Sequence, residues 1–372
     1  MRFTINHNLL LENLNYVSRA LSSKTPMPIL TGIKIDVRSS SVTLTSSNSD
    51  ISIQAKIVDP RLVVEEEGTV VLPGKYLLDI VRKSESENLE FISFEENTVK
   101  ILANKSNFTL ISMDYSNYPL ISFADSNTNM TIDALNLKHL IRKTSFAASL
   151  SETRLILTGV NFTTKDTKLE AVATDSYRLS KKYMNFEKSF PQISVILPSK
   201  SLDELVKILE NDQDIVEIHI SPTKTLFKVK NILFQTRLID GKYPDTSVLI
   251  PEHFVNSIRL NKQDLINAIE RASLFSNIEG TNIIKMDVEE TLVKITSTNA
   301  EIGTVIEEVN TLEQSNNHAL RLAFSSKYLL EALKSFDDNE IVIHFTGEIK
   351  PFIITSDHDF NQLQLILPVR VA

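Results

Sequence analysis

The 372 residues contain no cysteine. This excludes a disulfide framework, a thiolate nucleophile and any cysteine-based zinc or iron–sulfur centre. Glycine is scarce, with 8 residues, about 2% of the chain against roughly 7% in average proteins. None falls in a GxGxxG or P-loop pattern that could cradle a phosphate. No apolar run is long enough to span a bilayer. The opening Met1-Arg2-Phe3-Thr4-Ile5-Asn6 lacks the apolar core of a secretory signal, so cytosolic residence is expected. No two histidines have zinc-site spacing, and His344 and His358 lack a partner carboxylate motif, so a structural or solvent role is expected for both. What remains, at 42% hydrophobic and 23% charged, is a chain of ordinary globular composition.

What the chain has is repetition. Val71-Leu72-Pro73-Gly74-Lys75-Tyr76-Leu77-Leu78-Asp79, Ile196-Leu197-Pro198-Ser199-Lys200-Ser201-Leu202-Asp203 and Leu322-Ala323-Phe324-Ser325-Ser326-Lys327-Tyr328-Leu329-Leu330 are versions of one segment, their lysines 125 and 127 residues apart. A turn-like run keeps the same beat: Thr45-Ser46-Ser47-Asn48-Ser49, Ala173-Thr174-Asp175-Ser176 and Thr296-Ser297-Thr298-Asn299-Ala300. Leu10 and Leu14 are matched by Leu137 and Ile141, then by Leu265 and Ile269, and Tyr118-Pro119 by Tyr243-Pro244. The period far exceeds the 20 to 50 residues of solenoid repeats, so each copy can bury its own core and counts as a domain. The expected domains are 1–125, 129–250 and 252–372. Boundaries fall at Asp125 to Asn129 and near Pro251 to Asn256, in short linkers that favour a fixed arrangement.

Each copy reads alike. An amphipathic helix comes first (Leu9 to Ser22, Leu137 to Ala148, Asp264 to Phe275), with apolar residues recurring at three and four. Alternating β-branched strands follow, such as Ile33 to Val37 and Val42 to Thr45. The lysine segment opens a second helix (Lys75 to Lys83, Lys200 to Leu209, Lys327 to Phe336), and more strands close the copy. Two helices among many strands with short turns predict an α+β domain built on antiparallel sheet.

Catalytic constellations are few. Asp175 could be imagined as a general base beside Ser176, but its counterparts are Asn48 and Asn299. These form the same turn and cannot take a proton, so turn chemistry explains all three. Charge is less simple: the net is −8, whereas nucleic-acid binders are usually basic. Its distribution is uneven. The helix from Leu137 carries Lys138, His139, Arg142 and Lys143 without an acid, and Lys75, Arg82 and Lys83 face only Asp79, while acids gather at Glu65-Glu66-Glu67 and Glu289-Glu290. A basic face on an acidic body would hold phosphates loosely, without sequence readout.

Ala173-Thr174-Asp175-Ser176-Tyr177-Arg178-Leu179, Asp240-Gly241-Lys242-Tyr243-Pro244-Asp245, Pro28-Ile29-Leu30 and Leu367-Pro368-Val369-Arg370 together resemble the bacterial DNA polymerase III β subunit family, the sliding clamps, in order over the whole chain. The resemblance implies a head-to-tail homodimer whose six domains close a ring around duplex DNA, helices lining the hole and sheets outside. It implies no catalysis and no cofactor. The implied partners are DNA of any sequence, the replicative polymerase α subunit, the clamp-loader δ subunit and other proteins carrying a clamp-binding motif, with no membrane.

By the family pattern Lys24, Lys75 and Lys200 face DNA, and the charge distribution adds Arg82, Lys138 and Arg142. The family's peptide-binding cleft between the second and third domains maps onto Leu157, Thr174, Ser176, Tyr177, Arg178, Leu179, Pro244, Val248, Tyr328, Leu367, Pro368, Val369 and Arg370. Leu157, Leu179 and Val248 would form its apolar floor, with Arg178 and Arg370 as polar rim. Without the family, Leu157 and Leu179 read as plain core. Ser176-Tyr177 stands where many relatives have Gly-His, and Leu367-Pro368-Val369-Arg370-Val371 where they have Met-Pro-Met-Arg-Leu, which bears on peptide preference. Subunit contacts are implied between Phe108 and Leu110 of one chain and Leu274 and Phe275 of the other. Two further classes stay open, a protein-binding scaffold that leaves DNA alone and a hydrolase in the cleft near Asp175 and Arg178. The variant Asp175→Asn separates the last of these: a cleft enzyme loses turnover, whereas a turn residue tolerates the change.

Overall fold

The computed structural model describes all residues except 23–24, 95–96, 277–281, 317 and 370–372. The first copy runs β1 Arg2–Asn6, α1 His7–Val17, β2 Gly32–Arg38, β3 Ser41–Ser47, β4 Ile51–Ile57, β5 Val63–Glu66, β6 Gly68–Pro73, α2 Gly74–Lys83, β7 Asn88–Phe94, β8 Thr98–Ala103 and β9 Ser106–Ile111. The second runs β10 Thr128–Asp133, α3 Ala134–Arg142, β11 Gly159–Lys165, β12 Lys168–Thr174, β13 Arg178–Asn185, β14 Ser194–Pro198, α4 Ser199–Val206, β15 Ile215–Ile220, β16 Lys224–Val229 and β17 Ile232–Arg237. The third runs β18 Asn256–Asn261, α5 Lys262–Ser276, β19 Ile283–Val288, β20 Leu292–Asn299, β21 Gly303–Asn310, β22 Glu313–Gln314, β23 Leu320–Ser325, α6 Ser326–Lys334, β24 Glu340–Phe345, β25 Phe352–Thr355 and β26 Gln362–Ile366. Three copies of two helices with antiparallel strands are what the repeat predicts, with helix ends shifted by a few residues. The α3 helix stops at Arg142, and a separate 3₁₀ turn, Ser145–Ala147, follows.

The helices form where apolar residues share one face. Leu10 and Leu14, Leu137 and Ile141, and Leu265 and Ile269 are all buried, as the three- and four-residue spacing requires. In the second helices Leu77, Leu202 and Leu329 are buried, each two residues after its exposed lysine. Asparagines cap two helix starts. Asn6 Oδ1 accepts from the Leu9 N–H at 3.2 Å, and Asn261 Oδ1 accepts from Gln263 and Asp264 at 2.9 and 3.1 Å, filling donors that the first turn leaves orphaned.

Strand pairing does not respect the copies. The sheets run β5-β1-β7-β8-β9, β10-β15-β16-β17-β4-β3-β2-β6, β14-β11-β12-β13-β26-β25-β24-β18-β22 and β21-β20-β19-β23. The second sheet is continuous because β17 pairs antiparallel with β4, Phe234 opposite Ile53. The third is continuous because β13 pairs with β26, Leu179 opposite Leu365. The chain accordingly divides into two compact units, Met1–Leu135 with Glu204–Leu238 and Asn136–Asp203 with Ile239–Ala372, which share the central copy between them.

Within the first unit, Phe3 stacks on Phe91 with ring centroids 4.8 Å apart, and both are buried. Within the second, Phe324, Phe336, Phe345 and Phe352 join Leu265 and Ile269 in one apolar cluster. No helix among the described residues is long and apolar enough to cross a membrane. Truncating Phe91 to alanine removes a ring from a sealed cluster, and urea denaturation is expected to show a loss of about 3–5 kcal/mol.

Candidate functional site

The three turn-like runs fold as one kind of turn. Asn48 Oδ1 accepts from the Asp50 and Ile51 N–H groups at 3.2 and 2.9 Å. Asp175 Oδ1 accepts from Tyr177 and Arg178 at 2.9 and 3.0 Å. Asn299 Oδ1 accepts from Glu301 and Ile302 at 2.9 and 3.1 Å. In the first two, the next residue takes a left-handed backbone, Ser49 at φ 81° and Ser176 at φ 78°, a conformation costly for a residue with a Cβ. The turn role expected of Asp175 therefore holds. Its second oxygen does more, accepting from Arg178 Nε at 3.1 Å, a bond with no counterpart where Ile51 and Ile302 stand. The expected tolerance of Asp175→Asn is thereby corrected: asparagine keeps the turn and loses the charged partner of Arg178.

Arg178 was expected on a polar rim, and here the structure corrects the sequence. Its side chain is buried, the residue 7% exposed. The guanidinium also donates to Glu331 Oε2 on α6 and, at 2.6 Å, to the Phe146 carbonyl. It lies 4.4 Å from the Tyr328 ring centroid and 5.4 Å from that of Phe146. The reason is charge pairing: two carboxylates and a carbonyl compensate the loss of water that would otherwise keep a guanidinium at the surface. Burial, with Asp175 nearby, raises the pKa of the Tyr328 hydroxyl.

Leu157 and Leu179 meet in one buried cluster with Val172, Ile196, Tyr243, Ile353 and Leu365. Val248, expected in the same floor, is 78% exposed and stands outside that cluster. It sits in the short 3₁₀ turn Ser247–Leu249, whose three residues bury none of their side chains. Tyr243 fixes the edge of the cluster: its hydroxyl accepts the Thr174 N–H at 3.0 Å, and Thr174 Oγ1 donates to the Arg178 carbonyl at 2.6 Å. Above them Ser176, Tyr177 and Pro244 are exposed, and Ser176 Oγ accepts from Arg154 at 3.2 Å. The half-buried Leu367 and Pro368 and the exposed Val369 are held by Leu367 N–H to the Tyr177 carbonyl at 2.9 Å and Val369 N–H to the Ala323 carbonyl at 2.7 Å. Arg370 lies outside the described residues. Sequence reasoning missed Arg154, Phe146, Tyr243 and Glu331 as members of this neighbourhood. Tyr243 alone carried a signal, its match to Tyr118, whose hydroxyl donates to the Thr45 carbonyl at 3.3 Å.

The basic residues divide. Lys75 and Lys200 are exposed in the first turns of α2 and α4, and Arg82 and Arg142 are exposed on α2 and α3. Lys24 lies outside the described residues. Lys138 is 7% exposed, against the expectation of an exposed cation. It shares the buried stripe of α3 with Ala134, Leu137 and Ile141, a spacing of three and four that faces the core. Lys143 is buried too, paired with Asp337 at 2.7 Å. The charge count along α3 overstated its basic face because it ignored which side each residue occupies.

Phe108 and Leu110 are half-buried on β9, an edge strand, as expected. Leu274 is 67% exposed near the end of α5, with Phe275 half-buried beside it. His344 hydrogen-bonds Ser257 and Thr355 hydroxyls through its two ring nitrogens, each at 2.9 Å, and burial lowers its pKa. Among the described residues, no group of three or more histidines and carboxylates could hold a metal.

Three family models cover this chain: the DNA polymerase III beta subunit N-terminal domain over residues 1–122, its central domain over 131–245 and its C-terminal domain over 247–370. The beta sliding clamp of Staphylococcus epidermidis is 40% identical over 100% of this chain and 99% of that protein, and that of Staphylococcus aureus 38% over the same shares. Among solved structures, the DNA polymerase sliding clamp of Bacillus subtilis superposes with TM-score 0.95 at 38% identity. The DNA polymerase III beta chain of Streptococcus pneumoniae superposes at 0.96 and 36%, and both comparisons cover 100% of each chain.

Replacing Tyr243 with phenylalanine leaves the Thr174 N–H without its acceptor inside the cluster. Chemical denaturation is expected to register about 1–3 kcal/mol of lost stability.

Proposed function

Because the chain belongs to the DNA polymerase III beta subunit family of sliding clamps, we propose that two copies close head to tail around duplex DNA in the cytoplasm and hold the polymerase there through a peptide cleft. The chain is a non-catalytic processivity factor: it binds DNA and polymerase and confers persistence on synthesis without performing a reaction.

One observation carries the ring. The first copy joins the second through β4 and β17, and the second joins the third through β13 and β26. By the repeat, β21 of the third copy corresponds to β4 and β13, and β9 of the first corresponds to β17 and β26. Both are edge strands. A second chain that supplies β21 to β9, and takes β9 on its own β21, repeats the same junction twice more and leaves neither edge open. Phe108 and Leu110 on β9 and Leu274 and Phe275 at the end of α5 would then be covered between subunits, together with Ile306, 61% exposed on β21.

A closed ring holds by topology, so each phosphate contact can be weak enough to slide. Lys24, Lys75 and Lys200 are assigned to that role, with Arg82 and Arg142 as additions. Burial withdraws Lys138 from it. The cleft assigned to the polymerase α subunit, the clamp-loader δ subunit and other motif-bearing proteins comprises Leu157, Thr174, Ser176, Tyr177, Leu179, Pro244, Tyr328, Leu367, Pro368, Val369 and Arg370, with Val248 at its outer lip. Leu157 and Leu179 provide the apolar floor, and the exposed Tyr177 supplies an aromatic contact.

Two outcomes follow. Charging both sides of the subunit contact, Phe108→Asp with Leu274→Asp, is expected to give monomers by light scattering; an unchanged dimer mass refutes that placement. Removing Lys75 and Lys200 together is expected to flatten the salt dependence of duplex binding, the slope of log K against log salt falling by about 0.9 per lost phosphate contact. A slope that stays the same means those lysines do not meet the backbone.

A further inference from the structure

The three copies of the turn serve as internal controls for one another. The turn needs an Oδ1 acceptor, and asparagine supplies it at Asn48 and Asn299. At Asp175 a carboxylate stands in its place, and three residues on Arg178 replaces the isoleucine of the other copies. The pair is an addition made at one turn of three, and it is the turn whose tip carries Ser176 and Tyr177. A buried arginine with two carboxylates is poor stabilisation, since an apolar cluster of the same volume does as well or better. What such a pair can add is the selection of one geometry.

That geometry can be followed atom by atom. Arg178 donates from Nε to Asp175 Oδ2 at 3.1 Å, from one terminal nitrogen to Glu331 Oε2, and from the other to the Phe146 carbonyl at 2.6 Å. Its plane is lined by Tyr328, one turn of α6 before Glu331, and by Phe146. The strand start at β13, helix α6 and the Ser145–Ala147 turn are thereby fixed to one guanidinium. The Tyr177 carbonyl in turn accepts the Leu367 N–H at 2.9 Å. Tyr177 is thus 63% exposed on a turn held from both sides.

We propose that Asp175 and Glu331 are positioning residues for the peptide cleft: by clamping Arg178 they hold Tyr177 and the Leu367–Val369 wall ready for a short apolar peptide, without themselves touching it. A cleft ordered before binding spares the peptide that ordering cost. This deepens the cleft reading above and rests on it.

The test measures binding of a labelled synthetic peptide bearing the clamp-binding segment of the polymerase α subunit. The near-isosteric Glu331→Gln is expected to weaken it about tenfold, and Glu331→Ala more, with the melting temperature of Glu331→Gln lowered only slightly because Asp175 and the Phe146 carbonyl still hold the guanidinium. Unaltered affinity in both variants overturns the proposal. An independent readout uses the absence of tryptophan from the chain: Tyr177→Trp installs its one tryptophan at the turn tip, excited selectively over tyrosine. Adding Glu331→Gln is expected to lower its emission anisotropy, which a residue serving packing alone would leave where it was; an unchanged anisotropy overturns the positioning role. If the peptide fails to bind the unsubstituted chain, the cleft reading falls, and the fluorophore still decides what Glu331 does.

Discussion

A β-strand at the edge of a sheet leaves half of its backbone groups without partners, and the organisation of this chain follows from how those edges are paired. Each copy offers one edge to the copy after it and one to the copy before it. Inside the chain the demand is met twice, Ile53 opposite Phe234 and Leu179 opposite Leu365. Antiparallel pairing in a fixed register sets both junctions, since a one-residue slip would turn Phe234 and Leu365 out of their cores. Among the strands at sheet edges, β9 and β21 are by the repeat equivalent to strands already paired across copies in the same chain. The account of a closed assembly rests on this equivalence.

The helices are subordinate to that arrangement. Each buries a stripe of leucines and isoleucines and leaves its lysine at the start of the second helix exposed. With a net charge of −8 the body repels DNA, and in the proposed reading the exposed cations on α2, α3 and α4 are what attract it. Such a balance suits a protein that must remain on DNA without gripping it, because weak salt-screened contacts exchange readily between phosphates. In the proposed ring, topology would supply the persistence that affinity does not.

Much of this was legible in the sequence, and for a definite reason. Repetition at a period near 125 residues let each copy test the reading of the others, so helices, strands and turns were placed three times over. Asn48 and Asn299 identified the role of Asp175 as turn-forming before any hydrogen bond was seen. What the sequence did not disclose required depth and direction. Lys138 counts as a cation in a composition and is a buried residue on a helix. Arg178 reads as a rim charge until Glu331, 153 positions away in the chain, is brought against it. Val248 reads as a floor residue until its turn is found at the surface. Nor did periodicity say that the sheets cross from copy to copy, because strand partners as distant as Ile53 and Phe234, or Leu179 and Leu365, leave no local pattern.

Electron microscopy of the purified protein tests the central claim most directly. The account predicts a six-lobed ring with an opening wide enough for duplex DNA, at concentrations where the subunits associate. Compact particles without an opening under those conditions would contradict it, and would leave a repeat-built scaffold that binds proteins and does not encircle DNA.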